Sequence, residues 1–315
     1  MTSILTITLN PTVDLSIAAD AILPERKLRC TRPDTDPGGG GLNVSRAIMA
    51  LGGRSTAFVA VGGPTGDKVM RLLAEAGIGL VPFPAPGETR QSLTATDMST
   101  GEQYRFVMPG PEWSASDTAR VLTRIVRVAP EDGLVVLSGS QPPGIPADFP
   151  ARLASRIART KARLVLDTSG KALHCLVDSG ARPADVLRMD DAEAQDLSGQ
   201  PLSTRSDSAD FAQSLVLRGV ARAVIVARGR DGNILATETG RWHAEAARVQ
   251  PVSKVGAGDS FVAAFVLALA RNQSLPEALQ HGAAAASAAV MTPATELCRA
   301  RDVRRLLPLS PVTPI

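Results

Sequence analysis

Apolar and β-branched residues come in short runs along this chain, and the runs alternate with longer segments whose apolar residues recur at helical spacing. The first run, Ile4 to Leu9, predicts a buried strand that ends at Asn10 and Pro11. Further strands are predicted at 56–61, 133–137, 163–167, 186–189 and 223–227, and helices at 44–51, 68–76, 116–128, 147–160, 208–218 and 276–291. This alternation indicates an α/β fold, a three-layer αβα sandwich with a mostly parallel central sheet.

Two segments interrupt the alternation. Residues 12–36 and 88–107 contain only short strand-like stretches, and the second segment predicts a hairpin around Thr100 and Gly101. We expect them to form a small β lid, while 1–11, 37–87 and 108–315 form the α/β core. A lid would exclude water from a reaction at the strand ends. Because exposed β edges invite pairing, the lid is also the predicted interface of a homodimer.

Composition and charge narrow the class of protein. The 315 residues are 44% hydrophobic and only 3% aromatic, which predicts a large core of aliphatic and small side chains. The net charge of +3 is spread along the chain, so a nucleic-acid partner is not expected. Three cysteines and three histidines lie scattered, which argues against a disulfide framework, a zinc site and a histidine metal centre.

The ends of the chain and its longest apolar run indicate where the protein works. The N-terminus lacks the charged start of a signal peptide. The apolar run after Ser260 is too short to span a bilayer. We therefore predict a cytoplasmic protein without a membrane partner. Pro308, Pro311 and Pro314 predict a loose C-terminal tail.

The segment VSKVGAGDSF at 252–261 carries the first chemical signal, because a glycine-rich turn leads there directly into an apolar helix. The first turn of such a helix has backbone N–H groups without intrahelical partners, and together with the helix dipole they form an anion site. Asp259 would lie beside that anion, where it could take a hydroxyl proton during phosphoryl transfer to an alcohol. An acidic residue at this position could equally serve only as a helix cap.

A second glycine-rich segment, PGGGGLNV at 37–44, also precedes a predicted helix. Its position favours a ligand lying on the backbone over a merely flexible loop. It is not a Walker loop, since no Lys-Ser/Thr follows, and Asn43 occupies the third glycine position of the dinucleotide fingerprint.

Three charged residues elsewhere remain open to two interpretations. Asp14 follows the carboxyl end of the first strand, where it could bind a ligand or form a turn. Arg90 and Arg105 lie in the predicted hairpin, either as surface charges or as clamps for a phosphate on the substrate.

The two glycine-rich motifs, in this order, resemble the two signatures of the PfkB (ribokinase-like) carbohydrate kinases, and the similarity extends from the first strand through Cys298. The resemblance implies a ribokinase-like fold and an ATP-dependent kinase. The segments 27–31, 38–41 and 101–110 are similar to those of members that convert fructose 6-phosphate to fructose 1,6-bisphosphate. Members that act on fructose 1-phosphate or tagatose 6-phosphate more often have a lysine where this chain has Gly40.

The resemblance also implies roles at the acceptor end of the site. Asp259 would be the catalytic base, and the backbone of Gly256, Ala257 and Gly258 would form the anion hole for the transferring phosphoryl group. The sugar would be held by Asp14, Gly39, Gly40 and Asn43, and its phosphate by Arg90, Arg105 and Ser138.

At the other end of the site, the resemblance implies ATP lying along residues 229–232. The implied nucleotide-binding residues are Arg188, Asp190, Ala227, Gly229, Gly232, Val255, Ala283 and Ser287, with adenine near the last two. Close packing between helices would explain the small residues around Ala283 and Ser287 equally well. Mg²⁺ would be bound by Asp190 and Glu193, and K⁺ by the carbonyl groups of Ser253 and Val255.

Departures from the family pattern cluster at this nucleotide end. The usual Lys-Pro-Asn-x-x-Glu reads RMDDAE at 188–193, so Arg188 replaces the lysine and Asp190 the asparagine, and Ala227 replaces a hydroxyl residue. Three hypotheses follow: a fructose 6-phosphate kinase, a kinase of fructose 1-phosphate or tagatose 6-phosphate, and a non-catalytic sugar-phosphate-binding relative. A nicotinamide dehydrogenase is disfavoured, since no glycine fingerprint follows the first strand.

Overall fold

The computed structural model describes residues 2–293 and 295–315, and it confirms the predicted α/β fold. The strands are β1 (Ser3–Thr8), β2 (Thr12–Ala19), β3 (Asp34–Gly38), β4 (Thr56–Val61), β5 (Gly79–Pro84), β6 (Arg90–Asp97), β7 (Gln103–Val107), β8 (Gly133–Ser138), β9 (Arg163–Asp167), β10 (Ala184–Asp190), β11 (Ala221–Ala227), β12 (Asn233–Thr237), β13 (Arg241–Ala244) and β14 (Val312–Pro314). The helices are α1 (Gly40–Ala50), α2 (Gly63–Glu75), α3 (Ala115–Val128), α4 (Phe149–Ile157), α5 (Gly170–Asp178), α6 (Asp191–Ser198), α7 (Arg205–Leu217), α8 (Ala257–Ala270), α9 (Leu275–Ala289) and α10 (Ala300–Leu306). Gly229–Asp231 and Leu307–Leu309 form single 3₁₀ turns.

The main sheet has ten strands within the described residues, in the order β14-β13-β12-β11-β10-β9-β8-β1-β4-β5. The seven strands from β11 to β5 are parallel to their neighbours, and β12, β13 and β14 add an antiparallel edge. All six residues of β8 are buried, as expected for a parallel strand covered on both faces. The carboxyl ends of the parallel strands therefore meet at one edge of the sheet, where α/β proteins bind ligands.

Helices cover both faces of this sheet. One core includes Phe58, Phe149 and Leu187, and the core on the other side is built around α8. Every residue of α8 from Ser260 to Ala270 is buried, because the helix packs against both the sheet and α9.

A second sheet of four strands has the order β3-β2-β6-β7. Its centre is a parallel pair, β2 and β6, and the predicted hairpin is present as antiparallel β6 and β7. All five residues of β7 are exposed, so this sheet stands on the core with one edge in solvent. This is the small β lid that the two interrupting segments predicted.

Several element boundaries differ from the prediction. Helix α1 begins at Gly40, inside the glycine run, and β5 forms although it contains two prolines. The predicted loose tail is wrong, because Val312–Pro314 forms β14 and pairs with β13. Proline is tolerated there since β14 is the edge strand, which needs no N–H donor on its outer side. Among the helices of the described residues, none combines the length and apolar content needed to cross a bilayer.

Candidate active site

Asp259 is the third residue of α8, at the end of that helix that carries a positive partial charge. The helix is preceded by Gly256, whose left-handed φ of 73° lets the chain turn sharply into its first residue. The N–H of Ala257 donates weakly to the carbonyl of Lys254, at 3.5 Å. The following N–H groups, of Gly258 and Asp259, lie in the first turn, which a helix leaves without intrahelical acceptors. The predicted anion site and the carboxylate thus occupy the same turn.

The carboxylate of Asp259 is held by a residue from the second glycine-rich motif. Asn43 Nδ2 donates a hydrogen bond to Asp259 Oδ2 at 2.9 Å. Burial of the carboxyl group, and then the nearby carboxylate of Asp167, raise the pKa of Asp259 to about 6. A pKa near the working pH suits a general base better than the ordinary value of an aspartate.

Asp167 is a central residue of the site that the sequence analysis missed. Its Oδ1 accepts a hydrogen bond from Arg188 Nη1 and its Oδ2 accepts one from the hydroxyl of Ser138, both at 3.0 Å. Arg188 and Asp167 are only 15% and 13% exposed, so the ion pair is largely buried. The signal for Asp167 was present, because it is the last residue of a buried strand, which is the position that singled out Asp14.

The glycine run at 37–44 brings the start of α1 very close to the end of β8. A Cβ atom on Gly40 would lie 2.5 Å from Ser138 Oγ and 2.6 Å from the backbone nitrogen of Gly139. Only glycine fits this contact without a shift of the main chain. Gly39 precedes Gly40 as the N-cap of α1.

The small sheet carries three of the residues predicted to bind the sugar phosphate, namely Asp14, Arg90 and Arg105. Asp14 on β2 lies opposite Asp36 on β3. Burial raises the pKa of Asp14 and the Asp36 carboxylate adds to this, while the positive charges of Arg90 and Arg105 act in the other direction. Both predicted arginines therefore lie near enough to Asp14 to act on its charge.

Arg90 and Arg105 have different surroundings. Arg90 donates through Nε and Nη2 to the carbonyl of Asn10 and through Nη1 to that of Met108, so it is fixed at the base of the small sheet. It lines a cavity of about 760 Å³ that Lys171 also borders. Arg105, on β7, is exposed.

The predicted metal ligands are tied to the start of α6. Glu193 donates its N–H to Asp190 Oδ1, and Asp190 donates its N–H to Glu193 Oε2, a reciprocal capping box. Burial raises the pKa of Glu193. In the described parts of the chain no three His, Cys, Asp or Glu residues cluster as a metal site. Two carboxylates with one oxygen each outside the capping bonds fit Mg²⁺, which in kinases takes most of its ligands from phosphates and water.

The predicted nucleotide loop begins where β11 ends. Ala227 lies in register with Asp190 on the neighbouring strand. Gly229 opens a 3₁₀ turn and Gly232 closes it. Arg228 fixes this turn, donating to Asp231 Oδ2 and to the carbonyl of Leu202, both at 2.9 Å.

The residues predicted near adenine lie on α9. Ala283 is only 1% exposed and belongs to the core around α8. The hydroxyl of Ser287 accepts a hydrogen bond from the N–H of Ala247. A Cβ on Gly282 would lie 2.7 Å from the ring of Phe261, so close packing of α8 and α9 accounts for the small residues here. A role of Ala283 and Ser287 in binding adenine stays a prediction.

The predicted cation loop lies against the end of α9. Val252 and Ser253 donate their N–H groups to the carbonyl of Val290, and the Ser253 hydroxyl accepts from the N–H of Val255. These bonds use N–H groups, and carbonyl oxygen is a suitable ligand for a monovalent cation. Binding of K⁺ by Ser253 and Val255 stays a prediction.

Several known proteins are similar to this chain over nearly its whole length. A family model described as pfkB family carbohydrate kinase matches residues 2–301. The chain is 38% identical to the ATP-dependent 6-phosphofructokinase isozyme 2 of Mycobacterium tuberculosis H37Rv, covering 98% of this chain and 89% of that one. It is 37% identical to the Escherichia coli K12 protein of the same name, covering 97% and 98%. It is 31% identical to the 1-phosphofructokinase of Bacillus subtilis, covering 98% and 99%.

Solved structures give the same result for the fold. Phosphofructokinase-2 from Escherichia coli in complex with potassium superposes with a TM-score of 0.92 at 35% identity, covering 98% of this chain and 99% of that one. The same enzyme in complex with fructose-6-phosphate gives a TM-score of 0.89 at 34% identity over the same shares. The predicted ribokinase-like fold is therefore confirmed.

Proposed function

The chain belongs to the pfkB family of carbohydrate kinases, as its two glycine-rich motifs predicted, and we propose that it transfers the γ-phosphoryl group of ATP to fructose 6-phosphate, giving fructose 1,6-bisphosphate. One observation carries the proposal: a carboxylate, Asp259, with a pKa of about 6, lies at the N-terminus of a buried helix and is held there by Asn43. A base and an anion site in one helical turn are the two groups that phosphoryl transfer to an alcohol needs.

The proposed mechanism is an in-line transfer. The oxygen of the primary hydroxyl forms a bond to the γ-phosphorus, the bond from that phosphorus to the β–γ bridging oxygen breaks, and ADP leaves. Asp259 accepts the hydroxyl proton. The backbone around Gly256, Ala257 and Gly258 receives the transferring group. Mg²⁺, bound by the ATP phosphates with Asp190 and Glu193, would supply charge neutralisation.

Charge and position support a phosphorylated sugar as the acceptor. Asp14 and Asn43 offer a carboxylate and an amide to sugar hydroxyls. Both lie in elements that begin near the carboxyl end of β1. Arg90 and Arg105 supply positive charge close to Asp14. Ser138 lies at the end of β8, and Gly40 packs on it. The names of the Mycobacterium tuberculosis and Escherichia coli relatives favour fructose 6-phosphate among such sugars.

Fructose 1-phosphate and tagatose 6-phosphate are the second candidate acceptors. The Bacillus subtilis 1-phosphofructokinase, similar over nearly the whole chain, favours the first of these. The two ketohexose 6-phosphates differ in the configuration at one carbon, so the charges near Asp14 alone do not separate them.

The exposed surface of the small sheet supports a homodimer. Phe106 and Val107 on β7 are 54% and 64% exposed, and Met98 before that strand is 64% exposed. Apolar side chains on an edge strand favour pairing with a second copy. We therefore propose that residues 12–36 and 88–107 act both as the lid of the site and as the dimer interface.

We also propose that K⁺ binds beside the anion hole.

An assay of ADP release with a panel of acceptors tests the function. With ATP and Mg²⁺, we expect the highest kcat/KM for fructose 6-phosphate, and lower values for fructose 1-phosphate, tagatose 6-phosphate, free fructose and ribose. A higher kcat/KM for fructose 1-phosphate would transfer the proposal to the second candidate. No ADP release with any sugar phosphate would leave only a binding protein.

A pair of aspartate substitutions tests the role of Asp259. Asp259→Asn should retain the fold and bind both substrates but lower turnover about 10²–10⁴-fold, the usual effect of losing a general base. Asp117→Asn is the matched control, because Asp117 is also the third residue of a helix and caps it with Ser114. Asp117→Asn should leave turnover unchanged. Near-normal turnover in Asp259→Asn would remove Asp259 from the mechanism.

A further inference from the structure

A continuous set of hydrogen bonds connects Asp259 to the small sheet and to the segment before α10. Asp259 accepts from Asn43 Nδ2 at 2.9 Å, and Asn43 Oδ1 accepts from Arg46 Nη1 at 3.3 Å. Arg46 Nη2 donates to Asp36 Oδ1 at 2.8 Å, and the hydroxyl of Thr295 donates to Asp36 Oδ2 at 2.7 Å. One end of this network lies on α8 and the other on the small sheet, and α1 joins them.

Arg46 is the central residue of this network. It lies one turn after Asn43 on α1, so both side chains point from the same face of the helix. Its guanidinium also donates to the carbonyl of Pro37 at 3.2 Å, in the glycine-rich segment itself. Three acceptors in different directions suit the planar fork of arginine, and a lysine ammonium would reach fewer of them in the same geometry.

The bond from Arg46 determines which way the Asn43 amide faces. An amide has one accepting oxygen and one donating nitrogen. Because Arg46 can only donate, it binds the Asn43 oxygen and leaves the Asn43 nitrogen facing the Asp259 carboxylate. Without Arg46 the amide could rotate, which would place an oxygen against that carboxylate and release it from its position.

We propose that Arg46 is a positioning residue for catalysis, which orients Asn43 and Asp259 and links their geometry to the small sheet through Asp36. Asp36 lies on β3, opposite Asp14, so a movement of the small sheet over a bound sugar would be transmitted to Arg46. The inference rests on the proposed role of Asp259 as the base.

The charges around Asp259 fix the sign of the expected pH effect. Asp167 on β9 raises the pKa of Asp259, whereas Arg188 on β10 and Arg46 on α1 lower it, as does the hydrogen bond from Asn43. Burial raises it most. Removal of the positive charge at position 46 should therefore raise the pKa of Asp259 further, and leave less of the ionised base at neutral pH.

The first experiment compares kcat and kcat/KM as functions of pH in three variants. Arg46→Met should lower kcat by up to about 10²-fold, the effect of a small misplacement of a reacting group. Its acidic limb of kcat/KM should move to higher pH, with KM for ATP unchanged. Arg46→Lys keeps the positive charge but loses the planar guanidinium, so kcat should fall. The acidic limb of its kcat/KM profile should stay at the pH of the wild type. Arg54→Met, an exposed arginine near the end of α1, should match the wild type.

A double-mutant cycle tests the link to the small sheet. Asp36→Asn should lower kcat in the wild-type background and have no further effect on kcat in the Arg46→Met background. The cycle is needed because Asp36 also faces Asp14 and could alter sugar binding directly. Effects that add fully in the double variant would show that Asp36 does not act through Arg46.

A titration of the Asp259 carboxyl carbon by NMR separates failure of the inference from failure of the proposed function, since it needs no turnover. We expect its pKa to be higher in Arg46→Met than in the wild type. An unmoved pKa together with wild-type kcat would overturn the role of Arg46 and leave the kinase proposal intact. Undiminished turnover in Asp259→Asn would overturn the proposed base, and with it the catalytic meaning of Arg46.

Discussion

The acceptor and nucleotide sides of the site are held together in different ways. On the acceptor side, around the start of α1, the hydrogen bond from Asn43 to Asp259 joins residues 216 positions apart. On the nucleotide side, around the ends of β10 and β11, the contacts span fewer positions. Asp190 and Glu193 cap each other across three positions, and Arg228 binds Asp231 across three and the carbonyl of Leu202 across 26.

This difference predicts how each side responds to substitution. Contacts between near neighbours need only a local turn and form with little loss of chain entropy. Contacts between distant segments exist only after the sheet and helices have assembled, so they depend on the whole fold. We expect changes on the acceptor side to spread to stability and turnover, and changes on the nucleotide side to remain local.

The largest effect is expected at Asp167, which belongs to both sides because it binds Ser138 and Arg188. Asp167→Asn should lower the free energy of unfolding by up to about 3–5 kcal/mol, since it removes the carboxylate that is hydrogen-bonded to the buried guanidinium of Arg188. Asp148→Asn is the control, because the Asp148–Arg152 pair is about half exposed with its atoms 3.9 Å apart. It should cost less than about 1 kcal/mol in urea unfolding. Equal losses of stability in the two variants would contradict a special role of Asp167 as the buried partner of Arg188.

The next effect concerns stability and pH at Asp259. Its folded pKa of about 6 exceeds the ordinary value of 3.8, so ionisation of this carboxyl disfavours the folded state. The wild type should lose stability relative to Asp259→Asn as pH rises from about 4 to about 6, reaching roughly 3 kcal/mol above that range. Urea unfolding across this pH range measures the difference.

Asp117 supplies the opposite sign for comparison. Hydrogen bonds from Ser114 lower the pKa of Asp117, so its ionised form stabilises the fold above the ordinary pKa and that stability is lost as pH falls. Asp117→Asn should therefore be less stable than the wild type at neutral pH, whereas Asp259→Asn should be more stable. The same sign in both variants would mean that the Asp259 carboxylate is not disfavoured in the folded protein.

The smallest effect is expected on KM, which should change for the sugar phosphate in one variant and for ATP in the other. Arg105→Met should raise KM for the sugar phosphate roughly tenfold, the loss of one charge-assisted hydrogen bond, and leave KM for ATP within about twofold. Arg230→Met, in the 3₁₀ turn of the nucleotide loop, should affect KM for ATP more than KM for the sugar phosphate. Equal changes of both constants in either variant would show that the arginine does not act on one side alone.

Much of the fold could be predicted because its pattern is local. Strands β4 and β9 occur at the predicted residues, since compact β-branched runs bounded by turn residues define them. Strand β5 was missed because Pro82 and Pro84 argue against a strand, and only an edge position allows them. Helix α1 begins earlier than predicted because the contact of Gly40 with Ser138 and Gly139 outweighs the poor helix propensity of glycine.

The candidate site divides in the same way. Asp259 and Asn43 could be identified because they lie in motifs whose glycines are visible in the sequence. Asp36 and Arg46 could not, because each is one of many charged residues until the fold brings it to its partner. Asp167 was missed although its position at the end of a predicted buried strand marked it. Glu193 was singled out by the family resemblance. The structure shows its capping bonds with Asp190, and its metal role stays a prediction.

The sequence by itself determined most of the strands and helices, the two glycine-rich turns and the family, because these depend on spacing between neighbouring residues. Only the tertiary structure decided that Asp259 has a pKa of about 6 and that Asn43 faces it, because the carboxyl group is buried by the fold and the charges of Asp167, Arg188 and Arg46 come from three separate elements. The sequence specifies which residue stands at a position, whereas the groups that the fold places around its side chain determine the pKa.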